Sequence, residues 1–509
     1  MPGTSLFLPR RREARTIVPR CLTGIRTMPA LHRWTIAALA AVLAALACGC
    51  TSVSEIRTHH GAGNVVPIID AERPSLGCED TGATDAAFAN SVEDYDAFWA
   101  AYVEMDDEGW LYRLPGQPSQ LQVLHDRLRQ ELSDPARADV DFLVVAFIHG
   151  WHHNAHDNDC NVHEFRALLK VAAQRYQAAF DAGVLKHRRR IVGVYVGWRG
   201  ESIDIENVSV ATVLDRRNAA ERVAKGDVRE VFAQLRKLQI GESMKPQWRA
   251  DRMRTVVVGH SFGGLVAFNG LSPAILNELT LTKPEPGPDG CHPTVYRRPA
   301  IDIAAAAGTA APEDRSAPVF PDQLVLINPA FEATRFESLH QLMRPGPPGC
   351  EYPPDRPKMI VVTADNDSAT GPIFTFGRQF LTLLQAGPRG DDPQHAIDER
   401  EAGIHAIGFT PRYVTHRLCL LPQPGGGWRA VAALTPPAHP DWRPDPYAPI
   451  WVVGAPPEIV DNHNGFFFAK PVAPGAKQEP WLLNWLVTLH TFGPGPASPA
   501  MTGENGCTR

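Results

Sequence analysis

The chain has 509 residues, which is long enough to bury a large core, and its net charge is −6. Its 44% hydrophobic and 21% charged residues are typical of a folded globular protein and exclude a disordered or fibrous one. The charge becomes more negative when the Arg-rich first 49 residues are set aside. We therefore expect no nucleic-acid partner for the folded part.

The N-terminus has the features of an export signal. An apolar run over residues 35–47 follows a short basic flank, and it falls short of the roughly 20 apolar residues that span a bilayer. The next residues, Cys48-Gly49-Cys50, resemble the processing box of bacterial lipoproteins. Residues 1–49 are thus interpreted as a signal peptide, and 1–27 either precede the true start at Met28 or form a long basic leader.

The resemblance to lipoproteins implies a membrane partner through an N-terminal lipid anchor. Cys50 is the predicted lipidation site, and Cys48 is the alternative. The expected location is the bacterial cell envelope, at the inner or outer membrane, with a periplasmic or secreted protein as the other possibility. The cysteines that remain after processing can form disulfides in such a compartment.

Residues 50–138 are polar and acidic, and they predict a tether followed by a helical flank. From about residue 139, buried-type apolar runs alternate with helix-period stretches, which predicts an α/β fold with a mostly parallel central sheet flanked by helices. The runs span 141–148, 191–196, 255–258, 323–327, 359–363 and 449–453. The helical stretches span 162–182, 217–240, 264–279, 333–343, 374–384 and 481–490.

These elements define a predicted main domain over residues 139–490. Pro/Gly-rich composition indicates insertions at about 283–317 and 387–445, and residues 491–509 form a C-terminal tail.

One motif in this domain carries specific chemistry. Gly259-His260-Ser261-Phe262-Gly263 lies between a predicted buried strand and an apolar helix. A serine on such a tight turn is held in strained backbone geometry, and its hydroxyl projects above the sheet edge. The segment resembles the nucleophile elbow of the α/β-hydrolase superfamily, in particular its esterases and lipases. This resemblance covers approximately residues 140–490 and implies that Ser261 is the nucleophile.

A second match to this superfamily lies upstream of the serine. Residues 147–151 end in His149-Gly150-Trp151, which is similar to the strand-end loop that supplies an oxyanion donor. The resemblance implies that the backbone N–H groups of Trp151 and Phe262 stabilise the negative charge that develops on a substrate oxygen.

The remaining catalytic residues are inferred from the chain order of the superfamily, which is Ser, acid, His. Asp367 follows a predicted strand at the distance that the superfamily favours, and Asp365 stays an alternative acid. His463 lies in a loop before the last helix and is the predicted base. His416 and His490 lie in a strand-like run and in a helix, so both are interpreted as structural.

A polar cluster competes with this interpretation. Its side chains could bind Zn²⁺, but the His-Glu-x-x-His pattern is missing, so we expect a polar rim of the site and neither a metal nor another cofactor. The cluster consists of His149, His152, His153, His156, Asp157, Asp159, Cys160 and His163.

The resemblance implies a serine hydrolase that cleaves carboxylic esters, either small molecules or lipids, through an acyl-enzyme. Trp151, Trp198 and Phe262 predict an apolar pocket or are part of the core. Two alternatives stay open. A lipoprotein can retain this fold as a binding or scaffold module without catalysis, and acyl transfer to an acceptor other than water would use the same residues.

Overall fold

The computed structural model describes residues 55–60, 89–200, 209–245, 249, 251–282, 284–287, 290–293, 320–343, 356–382, 393–423, 426–435, 448–467 and 479–492. The predicted signal peptide, Cys48 and Cys50 lie outside these residues, as do residues 493–509 of the predicted tail. Within the described part of the chain, no helix has both the length and the apolar character needed to cross a membrane.

A ten-stranded sheet forms the centre of the fold, with the order β1-β2-β4-β3-β5-β8-β9-β12-β10-β11. All neighbours pair in parallel except β1 with β2 and β10 with β11. The strands are β1 Val92–Asp94, β2 Phe98–Met105, β3 Val140–Ile148, β4 Arg188–Trp198, β5 Met253–His260, β8 Gln323–Ile327, β9 Met359–Ala364, β10 His416–Pro422, β11 Trp428–Leu434 and β12 Ile450–Ala455; a separate hairpin pairs β6 Pro284–Gly287 with β7 Gly290–Pro293.

Helices cover both faces of this sheet, so its central strands are buried on both sides, as their continuous apolar runs predict. Alternate residues of β3 show the two layers: Val144 packs with one core cluster and Val145 with the other. The α-helices are α1 Gln120–Ser133, α2 Cys160–Asp181, α3 Ser209–Lys225, α4 Val228–Ser243, α5 Phe262–Thr282, α6 Glu337–Met343, α7 Phe374–Leu381, α8 Pro393–Ile404 and α9 Trp481–Phe492. The predicted α/β fold with a mostly parallel sheet is confirmed.

One predicted helix is divided in two. The stretch 217–240 has a continuous helical period, but α3 ends at Lys225 and α4 begins at Val228. The chain turns at Gly226, where a Cβ atom would lie 2.4 Å from the carbonyl oxygen of Gly109. Because this contact joins residues far apart in sequence, periodicity alone could not locate the break.

The flank over residues 50–138 contributes more than a tether and a helix, because two of its strands extend the main sheet: β2 pairs with β4, and β1 pairs with β2. Acidic residues inside these strands interrupt the apolar pattern by which buried strands are predicted from sequence. Glu104 of β2 is buried, and its carboxylate accepts hydrogen bonds from the backbone N–H groups of Ile56 at 2.9 Å and Arg57 at 2.8 Å. Such long-range partners make a buried carboxylate tolerable.

The segment 387–445, expected to be an insertion, also joins the sheet. Its strands β10 and β11 pair with each other from His416↔Leu434 to Pro422↔Trp428, and β10 pairs with β12. They lie at one end of the sheet, where β11 is the edge strand, and their weaker apolar pattern is that of a half-exposed surface. Most of the other predicted insertion, 283–317, lies outside the described residues.

A buried ionic network connects the N-terminal segment to this sheet. The Glu93 carboxylate accepts hydrogen bonds from Arg57 Nη1 at 2.8 Å and Arg166 Nε at 2.9 Å, and from the hydroxyls of Tyr95 and Tyr102. Burial raises the pKa of Glu93, but the charges of Arg166 and Arg57 outweigh it and lower this pKa to about 2. Glu93 is therefore ionised, and its contribution to stability is present above its unfolded pKa and lost as the pH falls toward 2.

We predict that Arg166→Met lowers the free energy of unfolding by about 3 to 5 kcal/mol, because Glu93 then stays buried with an incompletely paired charge. Urea denaturation at neutral pH measures this loss. Arg113→Met is the matched control, since Arg113 and its partner Glu230 are 3.8 Å apart and their side chains are 67% and 43% exposed. A control variant as unstable as Arg166→Met would contradict the importance of the buried network.

Candidate active site

Ser261 forms the turn between β5 and α5. Its φ of 55° lies in the left-handed region, which costs about 1 to 2 kcal/mol for a residue with a side chain. Backbone hydrogen bonds hold this conformation: the Ser261 N–H donates to Ile327 O at 3.0 Å, and the Ser261 carbonyl accepts from the N–H of Ala330 at 3.1 Å. The serine is thus fixed at the carboxyl-terminal edge of the sheet in the strained geometry that the motif predicts.

The glycines around Ser261 are required by close packing. A Cβ atom on Gly259 would lie 2.6 Å from the carbonyl oxygen of Gly263, and one on Gly263 would lie 2.1 Å from that of Ile148. A Cβ atom on Gly150 would lie 2.9 Å from Ser261 Cβ. The end of β3 therefore lies directly against the serine turn.

His463 and Asp367 meet Ser261 at this edge. His463 Nε2 lies 2.9 Å from Ser261 Oγ, and His463 Nδ1 lies 3.0 Å from Asp367 Oδ2. Asp367 follows β9, and His463 lies in a turn after β12 that is closed by two hydrogen bonds between the backbones of Asp461 and Gly465, each 3.0 Å long. The three predicted residues form one continuous chain of hydrogen bonds.

The Asp367 carboxylate is 1% exposed and accepts hydrogen bonds from the N–H groups of Ala369 at 2.9 Å and Thr370 at 3.2 Å, and from the Thr370 hydroxyl. Burial alone would raise its pKa, but the bonds and charge from His463 and the bonds from Thr370 lower the pKa below its usual value. The carboxylate is therefore an ionised acceptor for the histidine.

The alternative acid, Asp365, pairs with an arginine. It forms an ion pair with Arg417 of β10, with Nη1 and Oδ1 3.1 Å apart. Of the two carboxylates that the sequence left open, the structure brings Asp367 to the histidine.

Two further residues, which the motifs did not single out, hold the His463 turn. Asn328, directly after β8, donates from Nδ2 to His463 O at 2.8 Å and accepts from the Ala364 N–H at 2.9 Å through Oδ1. His260 Nε2 also donates to His463 O, at 2.9 Å. Burial, followed by the charges of His463 and His153, lowers the pKa of His260 far below its usual value, so this imidazole is neutral. A polar residue at a strand end was the available signal for Asn328.

The predicted oxyanion donors belong to the two segments that meet at the serine turn. Phe262 is the first residue of α5, so its N–H has no carbonyl partner within the helix and lies at the positive end of the helix dipole. Trp151 follows Gly150, whose backbone packs against Ser261.

His149 holds the loop that contains Trp151 through two hydrogen bonds with Trp198. The His149 ring accepts from the Trp198 N–H at 3.0 Å, and the His149 carbonyl accepts from Trp198 Nε1 at 2.9 Å. Burial lowers the pKa of His149 to about 4, so the ring is neutral. His149 and Trp198 are both buried and belong to the scaffold of this loop.

The remaining polar residues after β3 have structural partners. Asp159 caps α2 by accepting from the Asn161 N–H at 2.8 Å, Asp157 pairs with Arg166 at 2.6 Å, and Cys160 is disulfide-bonded. In the described ranges, no group of three or more His, Cys, Asp or Glu side chains is arranged to hold a metal ion.

Comparison with known proteins gives partial structural likenesses. No protein-family model and no curated protein matches this chain. Phospholipase PlaB from Legionella pneumophila, in complex with thio-NAD, aligns with 58% of this chain and 50% of its own length at 12% identity and a TM-score of 0.20. An uncharacterized protein from Pseudomonas aeruginosa aligns over 52% and 42% at 13% identity and a TM-score of 0.15. The chain thus spans half or less of these structures, and neither likeness identifies a family.

We predict that Gly263→Ala lowers the free energy of unfolding by about 1 to 3 kcal/mol, because the added methyl group meets the carbonyl groups of Ile148 and His149. Gly241→Ala is the matched control, because Gly241 lies in α4 with open space around its Cα. Alanine there should raise the free energy of unfolding by about 0.5 to 1 kcal/mol. Thermal unfolding of both variants checks the pair. Equal effects would mean that the serine turn is not crowded.

Proposed function

We propose that this protein is a serine hydrolase that cleaves carboxylic esters. The observation that carries the proposal is the hydrogen-bonded chain from Ser261 through His463 to the buried Asp367, on a strained turn at the carboxyl-terminal edge of the sheet. This is the arrangement that activates a serine hydroxyl as a nucleophile.

In the proposed first half-reaction, His463 Nε2 accepts the Ser261 proton while Oγ attacks the ester carbonyl carbon. Asp367 holds Nδ1–H of the imidazole and stabilises the cation that forms, for which its ionised carboxylate is suited. His463 then gives the proton to the leaving alcohol. The product of this step is an acyl group bonded to Ser261 Oγ.

The oxyanion of each tetrahedral intermediate is assigned to the backbone N–H groups of Trp151 and Phe262. A preorganised donor of this kind is worth about 3 to 4 kcal/mol in the transition state. In the second half-reaction, His463 removes a proton from water, and the water oxygen attacks the acyl carbon. His463 then returns this proton to Ser261 Oγ as the bond between Oγ and the acyl carbon breaks, which releases the acid and restores both residues.

A lipid ester is the substrate class that we favour. A few residues after Asp367 in the chain, α7 and the residue before it carry apolar side chains exposed to solvent: Ile373, directly before α7, is 67% exposed, and Phe376 and Phe380 within α7 are 74% and 70% exposed. A lipid surface would bury these side chains. Anchoring through Cys50 at an envelope membrane would place the site near such lipids. Cys160 and Cys419 are each disulfide-bonded, which supports an oxidising compartment.

We predict that Ser261→Ala abolishes hydrolysis of p-nitrophenyl butyrate, and that Asp367→Asn lowers kcat by about 10⁴-fold, because the imidazole loses its correct tautomer. Asp365→Asn is the matched control and should leave kcat nearly unchanged, since it removes a partly exposed ion pair. Steady-state kinetics of the purified variants measures all three effects.

Two outcomes would contradict this account. Activity retained in Ser261→Ala would remove the serine mechanism. A larger loss in Asp365→Asn than in Asp367→Asn would mean that the acid is wrongly assigned.

A further inference from the structure

A cavity lies between the sheet and helices α2 and α9. Its enclosed volume is about 70 Å³, and the empty space within it is about 690 Å³ when the part that is open to solvent is counted. Its walls are mostly aliphatic. They include Val256 and Val325 from the sheet, Leu168 and Ala172 from α2, and Leu482 and Leu486 from α9.

Two phenylalanines at one end separate this cavity from the proposed active site. The ring of Phe466 lies 4.5 Å from that of His260, and the ring of Phe467 lies 5.7 Å from that of Phe147. Neither Ser261 nor His463 belongs to the cavity wall. The cavity is therefore a compartment of its own, beneath the carboxyl-terminal edge of the sheet.

The opposite end carries polar side chains. Tyr176, Gln323 and His490 contribute to the wall there, where β8 begins and where α2 and α9 approach their C-termini. Tyr176 is 1% exposed and His490 is 4% exposed. Among the described residues, the Tyr176 hydroxyl and both ring nitrogens of His490 have no hydrogen-bond partner. Buried polar atoms in this state are rare in folded proteins and point to a ligand or to water.

Arginines surround this polar end. The Arg189 guanidinium lies over the Tyr176 ring, 4.7 Å from its centroid, and Arg356 donates to the carbonyl of Thr491, the residue after His490, at 3.2 Å. Burial lowers the pKa of His490 far below its usual value, and the positive charges of Arg254, Arg189 and Arg356 lower it further. The imidazole is therefore neutral in cationic surroundings.

The charges of two of these arginines are partly balanced. Arg254 pairs with Asp251 at 2.7 Å, and Arg189 lies 3.9 Å from Asp141. The charges acting on His490 are nevertheless those of the arginines. An anionic group would complete this end of the cavity, because it would accept hydrogen bonds from the Tyr176 hydroxyl and the His490 ring.

We propose that this cavity binds a medium-chain fatty acid, with the hydrocarbon chain between the sheet and α9 and the carboxylate at Tyr176 and His490. The wall follows β8 from Gln323 to Ile327, about 13 Å at the rise of a strand, which suits a medium chain. Aliphatic walls match the chain, and the arginines match the charge. The proposal does not depend on the proposed hydrolase activity, because Ser261 lies outside the cavity.

Calorimetric titration of decanoate into the full-length Ser261→Ala protein tests this proposal. We expect saturable binding at one site, and about tenfold or more weaker binding of decan-1-ol, which has the same chain without the charge. No saturable binding of decanoate would overturn the proposal, and equal affinity for the alcohol would overturn the assignment of the carboxylate. The Ser261→Ala background keeps this result separate from any failure of the ester assay.

Variants of α2 provide the second arm. Ala172→Leu fills the cavity and Tyr176→Phe removes the unpartnered hydroxyl, so each should weaken decanoate binding about tenfold. Tyr176→Phe should not lower the Tm of the free protein, since no internal hydrogen bond is lost. Ala178→Leu, on the exposed side of α2, is the matched control and should bind decanoate as the parent does. Unchanged binding in both Ala172→Leu and Tyr176→Phe would place the ligand elsewhere.

Discussion

The contact between the end of β3 and the turn after β5 is the constraint on which the site depends. Gly263 fits against the carbonyl groups of Ile148 and His149 so closely that a Cβ atom there would lie 2.1 Å and 2.4 Å from their oxygens. This contact keeps the β3 loop beside Ser261 while the serine keeps its left-handed backbone. The strain is held by packing from several strands, which is how such conformations persist in folded proteins.

The parallel sheet extends this local constraint to the whole site. Because the carboxyl ends of β5, β9 and β12 lie at one edge, Ser261, Asp367 and His463 meet there despite their separation along the chain. Asn328, at the end of β8 between β5 and β9, connects the β9 end to the His463 turn. The order of the strands in the sheet thus decides which of these side chains become neighbours. The opposite edge carries the cationic end of the separate apolar cavity.

The sequence predicts most of the central sheet, because strands such as β3 and β9 are buried on both faces and read as continuous apolar runs. The motif around Ser261 predicts the nucleophile, and the chain order of the superfamily predicts His463 and favours Asp367 over Asp365. Strands β1 and β2 were missed because Glu93 and Glu104 give them a surface-like pattern, and their partners come from distant segments. The same reason applies to His260 and Asn328, whose roles depend on a turn that is remote in sequence.

Reaction with a fluorophosphonate probe, followed by peptide mass spectrometry, tests the central claim most directly, because the probe bonds only to a serine whose hydroxyl is activated. Our account predicts one adduct, on Ser261, that forms in the wild-type protein and is nearly lost in His463→Ala, since the imidazole is then unable to take the Ser261 proton. Absence of an adduct in folded wild-type protein, or equal labelling of the His463→Ala variant, would contradict an activated Ser261.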